Sequence, residues 1–439
     1  MALNVSILNM GMDKNFEIKL IKELESIPEV SVFCSVYDLF KNKDAVKAIY
    51  NLVSARSDII VFCWDIQARP SRLKMDIVFL LYGLLGMQYD LLSLAKVPVI
   101  ILSANASSYF LHGDIVAFIR AKGKNAYLAE SLEDVKRRIN HILKPPVWGG
   151  KKVLVFGKPF KSSTIRSPKL TKDYVLSRTG ITVDYRSIRT LINGIKKVDG
   201  KKAKFEMDRW IKEARGVQEG LGNEIEGSCK MYLYLKECIE KGGYSGVSIS
   251  CVSKSFPENP VMPHPCLAFS RFRDSGISAV CEADLCALFT AMLMEYVAQK
   301  PSYMGNVAFV DTDASTVLIT HCVTALKISG YESEPMSYFL EDYHHTGKGV
   351  VPSVDFPKEK DVTLGIVSKD LNSFVVWPGT LIGSGVDFCA NMAKIKIKDA
   401  KGFRQNIAGC HYVMVYGNIV KELHDILLDL NISTMGPVG

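Results

Sequence analysis

The first 145 residues alternate short runs that are apolar on both faces with stretches whose apolar positions recur at helical spacing. NVSIL is followed by a helix from about Asn15 to Ser26, SDIIVFCW by a helical stretch, and VPVIIL by another. Strands apolar on both faces and separated by helices predict a parallel sheet covered on both sides, a doubly wound α/β domain over residues 1–146. No G-x-G-x-x-G and no P-loop pattern occurs in it, which removes the usual dinucleotide and nucleoside triphosphate signatures.

KPPVWGG, residues 144–150, interrupts the pattern with Pro and Gly, and KKVLVFG then starts a new strand. A second α/β domain is expected over 147–302. It runs through GITVDY, a helix around Ile188 to Lys197, a helical stretch from Lys204 to Lys241, the strand GVSISCV and the loop PENPVMPHP. From residue 303 to 439 the texture becomes β-rich: NVAFVDTDASTVLITHC, VTLGIV, SFVVWPG and AKIKI are short strands between turn residues, and GTLIGSG reads as a turn. A closed or nearly closed barrel would protect their edges. A last helix is expected near Ile419 to Leu430.

ISAVCEADLCALFTAMLMEYVAQKP poses the chemical question. A short apolar strand leads through Glu282 and Asp284 into a helix, Leu285 to Val297, that is apolar nearly all round and therefore buried. A carboxylate at the start of such a helix needs an amide to cap, a cation or a metal. The plain reading is an acid interacting with the helix dipole. Two residues apart, Glu282 and Asp284 would lie ~200° apart on a helix, so one of them is expected to work alone.

Composition narrows the classes. At 439 residues, 48% hydrophobic and 23% charged, the chain is ordinary multidomain globular material. The net charge of +8 is scattered in pairs such as Lys196-Lys197 and Lys201-Lys202, which reads as solvated surface and not as a nucleic-acid face. Eleven cysteines without a C-x-x-C spacing form neither a disulfide framework nor a zinc ribbon; reduced thiols in a cytoplasmic protein are expected. The most hydrophobic stretch, Ile77 to Leu92, is interrupted by Gly83, Gly86 and Asp90 and falls short of a membrane span. The N-terminus meets an acid too early for a secretory signal.

Among histidines, His321 ends a strand in LITHC and His411 borders one in GCHYVMVYGN. Alone, each reads as a core histidine; together with Glu282 they form an O/N ligand set for a divalent ion. His344-His345 lies in EDYHHTGKG and reads as an exposed loop. Cys322 and Cys410 adjoin the two histidines, but neighbours on a strand point to opposite faces, which argues against pairing in sequence. Arg271, Arg273 and Arg404 flank these elements and either read an anionic group on a substrate or make structural ion pairs.

DSGISAVCEADLCALFTAMLMEYVAQKPSYMGN, then VDTDASTVLITHC and, later, AGCHYVMVYGNIVKELHDILLDLNI together resemble the L-fucose/L-arabinose isomerase superfamily, in particular its shorter fucose-isomerase-like members. The resemblance covers residues 274–321 and 403–431. It implies two α/β domains and a C-terminal β-barrel, assembly as a homo-oligomer (trimer or hexamer) with sites between subunits, a Mn²⁺-type divalent ion and interconversion of aldose and ketose. By position, Glu282 is implied as the first carboxylate ligand, His411 as the late histidine ligand and His321 as a further one.

In one respect the chain departs from that pattern. The family's second metal-binding acid falls at or next to Asn306, whose amide oxygen can ligate a cation but cannot accept a proton as a base. Asp311 and Asp313 are the nearest acids in sequence that could take that part. Two functions are therefore expected: a cytoplasmic, metal-dependent aldose–ketose isomerase acting through an enediol on a pentose or hexose, with Glu282, Asn306 and Asp311 at its centre, or a non-catalytic sugar-binding or scaffold protein on the same fold.

Overall fold

The computed structural model describes residues 3–10, 14–28, 30–36, 59–64, 98–103, 106–123, 125–143, 147–158, 167, 169–251, 263–385 and 389–437. The helix expected after SDIIVFCW and the apolar stretch Ile77 to Leu92 lie outside the described residues. Two compact units are present, Met1–Pro145 and Pro146–Gly439. No described helix is long and apolar enough to cross a membrane.

The first unit carries five parallel strands, β1 (Leu3–Met10), β2 (Val30–Val36), β3 (Ile59–Trp64), β4 (Val99–Leu102) and β5 (Ala126–Ala129), in the order β2-β1-β3-β4-β5. Helices α1 (Lys14–Glu25), α2 (Ala106–Ala121) and α3 (Leu132–Leu143) accompany them. β4 is buried along its whole length, as a strand covered on both faces must be. The parallel sheet is the one that the hydrophobic runs predict.

The second unit opens with four parallel strands, β6 (Lys152–Phe156), β7 (Thr182–Arg186), β9 (Gly246–Ile249) and β10 (Ser278–Cys281), ordered β10-β9-β6-β7. Their helices are α4 (Lys172–Thr179), α5 (Ile188–Ile195), α6 (Gly200–Glu213), α7 (Gly222–Gly242), α8 (Cys266–Asp274) and α9 (Leu285–Ala298). The single helical stretch expected over Lys204 to Lys241 is two helices, broken at Arg215–Gly220, where the short strand β8 (Gly216–Val217) joins β13 (Tyr338–Glu341) and β14 (Val351–Val354) in a small separate sheet.

A closed six-stranded antiparallel barrel follows. It consists of β11 (Tyr303–Asp311), β12 (Thr316–His321), β15 (Lys360–Val367), β16 (Ser373–Gly383), β17 (Asn391–Lys396) and β18 (His411–Tyr416), ordered β15-β18-β11-β12-β17-β16 and closed by β15 pairing with β16. Helices α10 (Ala400–Gln405) and α11 (Val420–Asp429) precede and follow β18, and β19 (Ser433–Met435) lies parallel to β16. GTLIG, expected as a turn, instead extends β16, because its backbone pairs with both β15 and β17.

α9 is the shared wall of sheet and barrel. Every residue from Leu285 to Glu295 is buried, and one hydrophobic core joins α9 to β6, β9 and β10 on one side and to β15 and β18 on the other. Gly365 permits the close approach on the barrel side: a Cβ there would lie 2.8 Å from the Met294 sulfur and 2.6 Å from the Phe374 ring. The apolar helix that the sequence marks as buried is thus the element that presents its N-terminal end, and the acids before it, to the barrel mouth.

Candidate metal centre

Glu282 and Ala283 leave the end of β10 with left-handed backbone, φ 67° and 54°. The turn is disfavoured for residues bearing a Cβ and is a place where surrounding structure holds the chain. It is held by the Ala283 N–H donating to Ile249 O at the end of β9, and by Asp284, which caps α9 by accepting from the Ala287 N–H at 3.1 Å. Neither acid is inside the helix. The expectation that a 200° separation would leave one of them to work alone therefore fails, and both reach the same histidine.

That histidine is His411, the first residue of β18. Its Nδ1 lies 2.9 Å from Asp284 Oδ2 and its Nε2 3.7 Å from Glu282 Oε1. His321, the last residue of β12, places its own Nε2 3.8 Å from the same Glu282 oxygen. The two imidazoles are tilted by 69° with centroids 5.7 Å apart. Glu282, His321 and His411 each offer one ligand atom, all within 4.8 Å of one another. His411 and His321 are buried at 1% and 4% exposure, while Glu282 keeps 19% of its side chain open.

Barrel register explains the convergence. β11 separates β12 from β18, and Asn306 on β11 has Thr320 opposite it on one side and His411 on the other. The two histidines therefore lie within one residue of the same height on the wall, His321 following Thr320. Arg273 steadies the approach from the other side: buried in α8, it donates from Nε to Ala279 O at 2.7 Å and from Nη1 to Val323 O at 3.0 Å, tying β10 to the segment after β12.

The electrostatics follow from burial and neighbours. Burial pushes the Glu282 carboxyl up, but the imidazoles of His321 and His411 outweigh it and hold the acid well below the usual carboxylate range. Burial draws His321 down to about 4, against the opposing pull of Glu282. Burial acts on His411 in the same sense, yet Asp284 and Glu282 together raise it well above its ordinary value. Glu282 is thus an anion and His321 a neutral ring at neutral pH.

This donor set fits a divalent cation. Separations of 3.7 and 3.8 Å are too long for hydrogen bonds. They lie near the roughly 3.4–3.6 Å between two N/O ligands on one tetrahedral ion with bonds of about 2.0–2.2 Å. Asp284 accepts a hydrogen bond from His411 Nδ1, which aims Nε2 at the shared point, the carboxylate–histidine relation common behind metal-ligating imidazoles. His321 Nδ1 is buried with no hydrogen-bond partner among the described residues, so no carboxylate stands behind His321 as Asp284 does behind His411.

The remaining sequence candidates sit as follows. Asn306 is half-buried beside His411 in register. Asp311 is at the far end of β11, about 17 Å along the strand at about 3.4 Å per residue. It accepts there from the Asp313 and Ala314 N–H groups and shapes the hairpin turn, while Asp313 is exposed in that turn. Arg271 stacks on Trp210 and pairs with Glu206 and Glu213, and Arg404 is exposed on α10. No described contact brings Asp311, Arg271 or Arg404 to Glu282. Asp284, which sequence spacing set aside, belongs to the site; its signal was its place as the N-cap of an apolar helix.

No family model matches the chain. It is similar to the sulfoquinovose isomerases of Priestia aryabhattai and Priestia megaterium, 21% identical over 246 residues, covering 53% of this chain and 54% of each relative. The chain thus spans about half the length of the curated relatives it matches. That likeness is to a sugar isomerase, and it agrees with the expected class at that coarse level. Two solved structures, a dinucleotide forming acetyl-coenzyme A synthetase 1 from Ca. Korarchaeum cryptofilum and the capsular polysaccharide assembling protein CapF from Staphylococcus aureus, align with TM-scores of only 0.26 and 0.20 at 12% and 13% identity. They cover 65% and 94% of this chain, and 62% and 96% of their own. Scores so low carry no argument about the fold.

Proposed function

We propose that this chain is a metal-dependent aldose–ketose isomerase that moves hydrogen between C1 and C2 of a pentose or hexose through an enediol. The observation that carries the proposal is the convergence of Glu282, His321 and His411 on one point, with Asp284 behind His411. The likeness to sulfoquinovose isomerases supports a sugar as the substrate.

Glu282, His321 and His411 would hold a Mn²⁺-type ion, with the Asn306 amide oxygen as a further ligand. Such an ion acts as a Lewis acid on the two sugar oxygens and orients them. Asp284 is committed on both oxygens, to the helix cap and to His411, and is therefore a positioning residue. Glu282 is ionised and turns Oε1 toward the imidazoles, which leaves Oε2 to accept the C–H proton and return it to the neighbouring carbon. The assembly in this reading is a homo-oligomer, trimer or hexamer, in the cytoplasm.

Asn306 favours a second reading, a sugar-binding protein without turnover. The chelator-stripped protein is titrated with Mn²⁺ by calorimetry, then incubated with aldoses in D₂O and followed by NMR. Stoichiometric Mn²⁺ binding with ketose formation and deuterium at the transferred position is expected. Metal and sugar binding without carbonyl shift on any pentose or hexose would give the second reading; no metal binding would remove both metal-dependent roles.

A further inference from the structure

On the opposite side of the β12 terminus from His321, a second ligand set assembles. Cys322, His344 and Cys389 each offer one ligand atom, all within 4.8 Å of one another. We propose that these three residues bind a thiophilic d¹⁰ cation, Zn²⁺, in a Cys₂His site separate from the Glu282 centre and independent of the isomerase reading.

The three come from distant parts of the chain: the residue after β12, a helical turn over Tyr343–His345, and the residue two before β17. The Cys389 Sγ to His344 Nε2 distance is 3.8 Å. With Zn–S about 2.3 Å and Zn–N about 2.0–2.1 Å, a tetrahedral ion sets sulfur and nitrogen ligands about 3.6 Å apart. The spacing is thus nearly that of ligands on one ion, and two thiols with one imidazole are a soft donor set that hard, oxygen-seeking cations do not favour. The Glu282 set, by contrast, contains no sulfur, so two chemically distinct cations are sorted by residues adjacent in sequence. Successive residues at a strand end face opposite ways. His321 thereby joins one set and Cys322 the other.

The frame around the thiols is rigid. Asn391, fully buried, donates from Nδ2 to Cys322 O at 3.2 Å and to Pro352 O at 3.0 Å, and its Oδ1 accepts from the Val354 N–H at 3.1 Å. One amide therefore ties the Cys322 carbonyl to β14. Ser353 Oγ donates to Ala390 O at 3.1 Å and holds the residue next to Cys389. On the histidine side, Tyr343 stacks on His264 with ring centroids 4.4 Å apart. The Gly347 N–H donates to the Asp342 carboxylate, and the Asp342 N–H donates to Gln218 Oε1 at 3.0 Å.

His344 itself has left-handed backbone at φ 50° and ψ 38°, and His345 follows at φ 56°. Two consecutive histidines in that region are uncommon and accompany sites where the surroundings impose the conformation. The turn is what carries the His344 ring, exposed to solvent on its other side, to Cys389. His344 and Cys389 also line a cavity of about 340 Å³ with Glu341, Asp342, His345 and Ser353. Three protein ligands beside an open polar cavity leave the fourth coordination position to water or a small exchangeable ligand.

The test uses the full chain, reduced with a phosphine and freed of metal, and Co²⁺ as a spectroscopic stand-in for Zn²⁺. One equivalent of Co²⁺ is expected to produce thiolate-to-cobalt charge-transfer absorption with the intense visible bands of a tetrahedral ion, and Zn²⁺ should bleach both. Cys322→Ser and Cys389→Ser should each abolish the charge-transfer band, His344→Ala should weaken binding at least tenfold, and Glu282→Gln should leave the band unchanged. Far-ultraviolet circular dichroism of each variant guards against misfolding, and Asp361→Asn serves as a surface control. Absence of charge-transfer absorption in the wild type, or its persistence in both serine variants, overturns the proposal. So does a Cys322–Cys389 disulfide in protein isolated anaerobically before the phosphine is added, read as a mass lower by two hydrogens.

Discussion

Asp284 and His411 are joined by a contact of 2.9 Å between Oδ2 and Nδ1 across 127 residues of chain. The same Asp284 caps α9 through its other oxygen. One carboxylate therefore couples the start of the most buried helix to the imidazole of the candidate metal centre, and its two duties can be separated by substitution.

Asp284→Asn keeps a good capping residue but replaces the anion behind His411. It is expected to change thermal stability little while weakening Mn²⁺ binding about 10- to 100-fold, the usual scale for a lost partner behind a ligand. Asp284→Ala should weaken metal binding equally and also lower stability by about 0.5–2 kcal/mol through the lost cap. Calorimetric titration beside thermal unfolding checks both; equal Mn²⁺ affinity in wild type and Asp284→Asn would remove the link.

Glu282→Gln and His411→Ala are each expected to abolish stoichiometric Mn²⁺ binding. In the metal-free protein the Asp284 and Glu282 carboxylates, overcoming burial, keep His411 protonated above its ordinary range. An ion must then displace the Nε2 proton, so affinity should increase as pH rises through neutrality and binding should release about one proton. Titrations in buffers of different ionisation enthalpy measure that proton; affinity independent of pH from 6 to 8 would contradict the assignment.

Asn306→Asp places a carboxylate in register with His411. An added anionic oxygen ligand is expected to tighten Mn²⁺ binding by on the order of tenfold. Turnover by the wild type that is only raised by Asn306→Asp supports the isomerase, whereas turnover appearing only in the variant supports the binding protein.

Asp274 offers a pH dependence away from the metal. Burial raises its carboxyl to about 6, although it accepts a hydrogen bond from the Lys327 N–H at 2.8 Å. An acid whose folded pKa exceeds its unfolded value binds more protons when folded between about pH 4 and 6. Its contribution to stability is therefore full below about pH 4, is lost as pH rises to 6, and is flat above. Asp274→Asn retains the acceptor and should remove that slope, leaving the variant more stable than wild type at pH 7 by on the order of 1–3 kcal/mol. Urea unfolding of both proteins at pH 4, 5, 6 and 7 measures the difference.

Packing at the wall between sheet and barrel gives the largest stability effect. Phe289, fully buried in α9, accepts the Trp148 indole N–H at its carbonyl and packs its ring 6.2 Å from that indole. Phe289→Ala should cost about 3–5 kcal/mol. Gly365→Ala is expected to destabilise as well, since its Cβ would meet Phe374 and Met294. Chemical denaturation midpoints test both.

Local pattern along the chain specified most of the elements and the chemistry each can carry. Doubly apolar runs meant parallel strands, short β pieces between turns meant a barrel, and an apolar helix opened by acids meant a buried carboxylate in need of a partner. Those properties are local, because periodicity and burial are written in consecutive residues. Glu282, His321 and His411 were legible as candidates because each borders an apolar element.

Which candidates meet depends on how the elements are brought together. Strand register set Asn306 beside His411 and left Asp311 at a hairpin tip, a difference that five residues of strand settle and that sequence distance hides. The left-handed turn at Glu282 and Ala283 placed two acids on one imidazole, against the helical angle that would have separated them. The alternation of a strand's faces sent His321 and Cys322 to different ligand sets, and a turn 22 residues further on brought His344 to the thiols. A side chain's partner depends on directions accumulated over the whole fold, and no local pattern contains that sum.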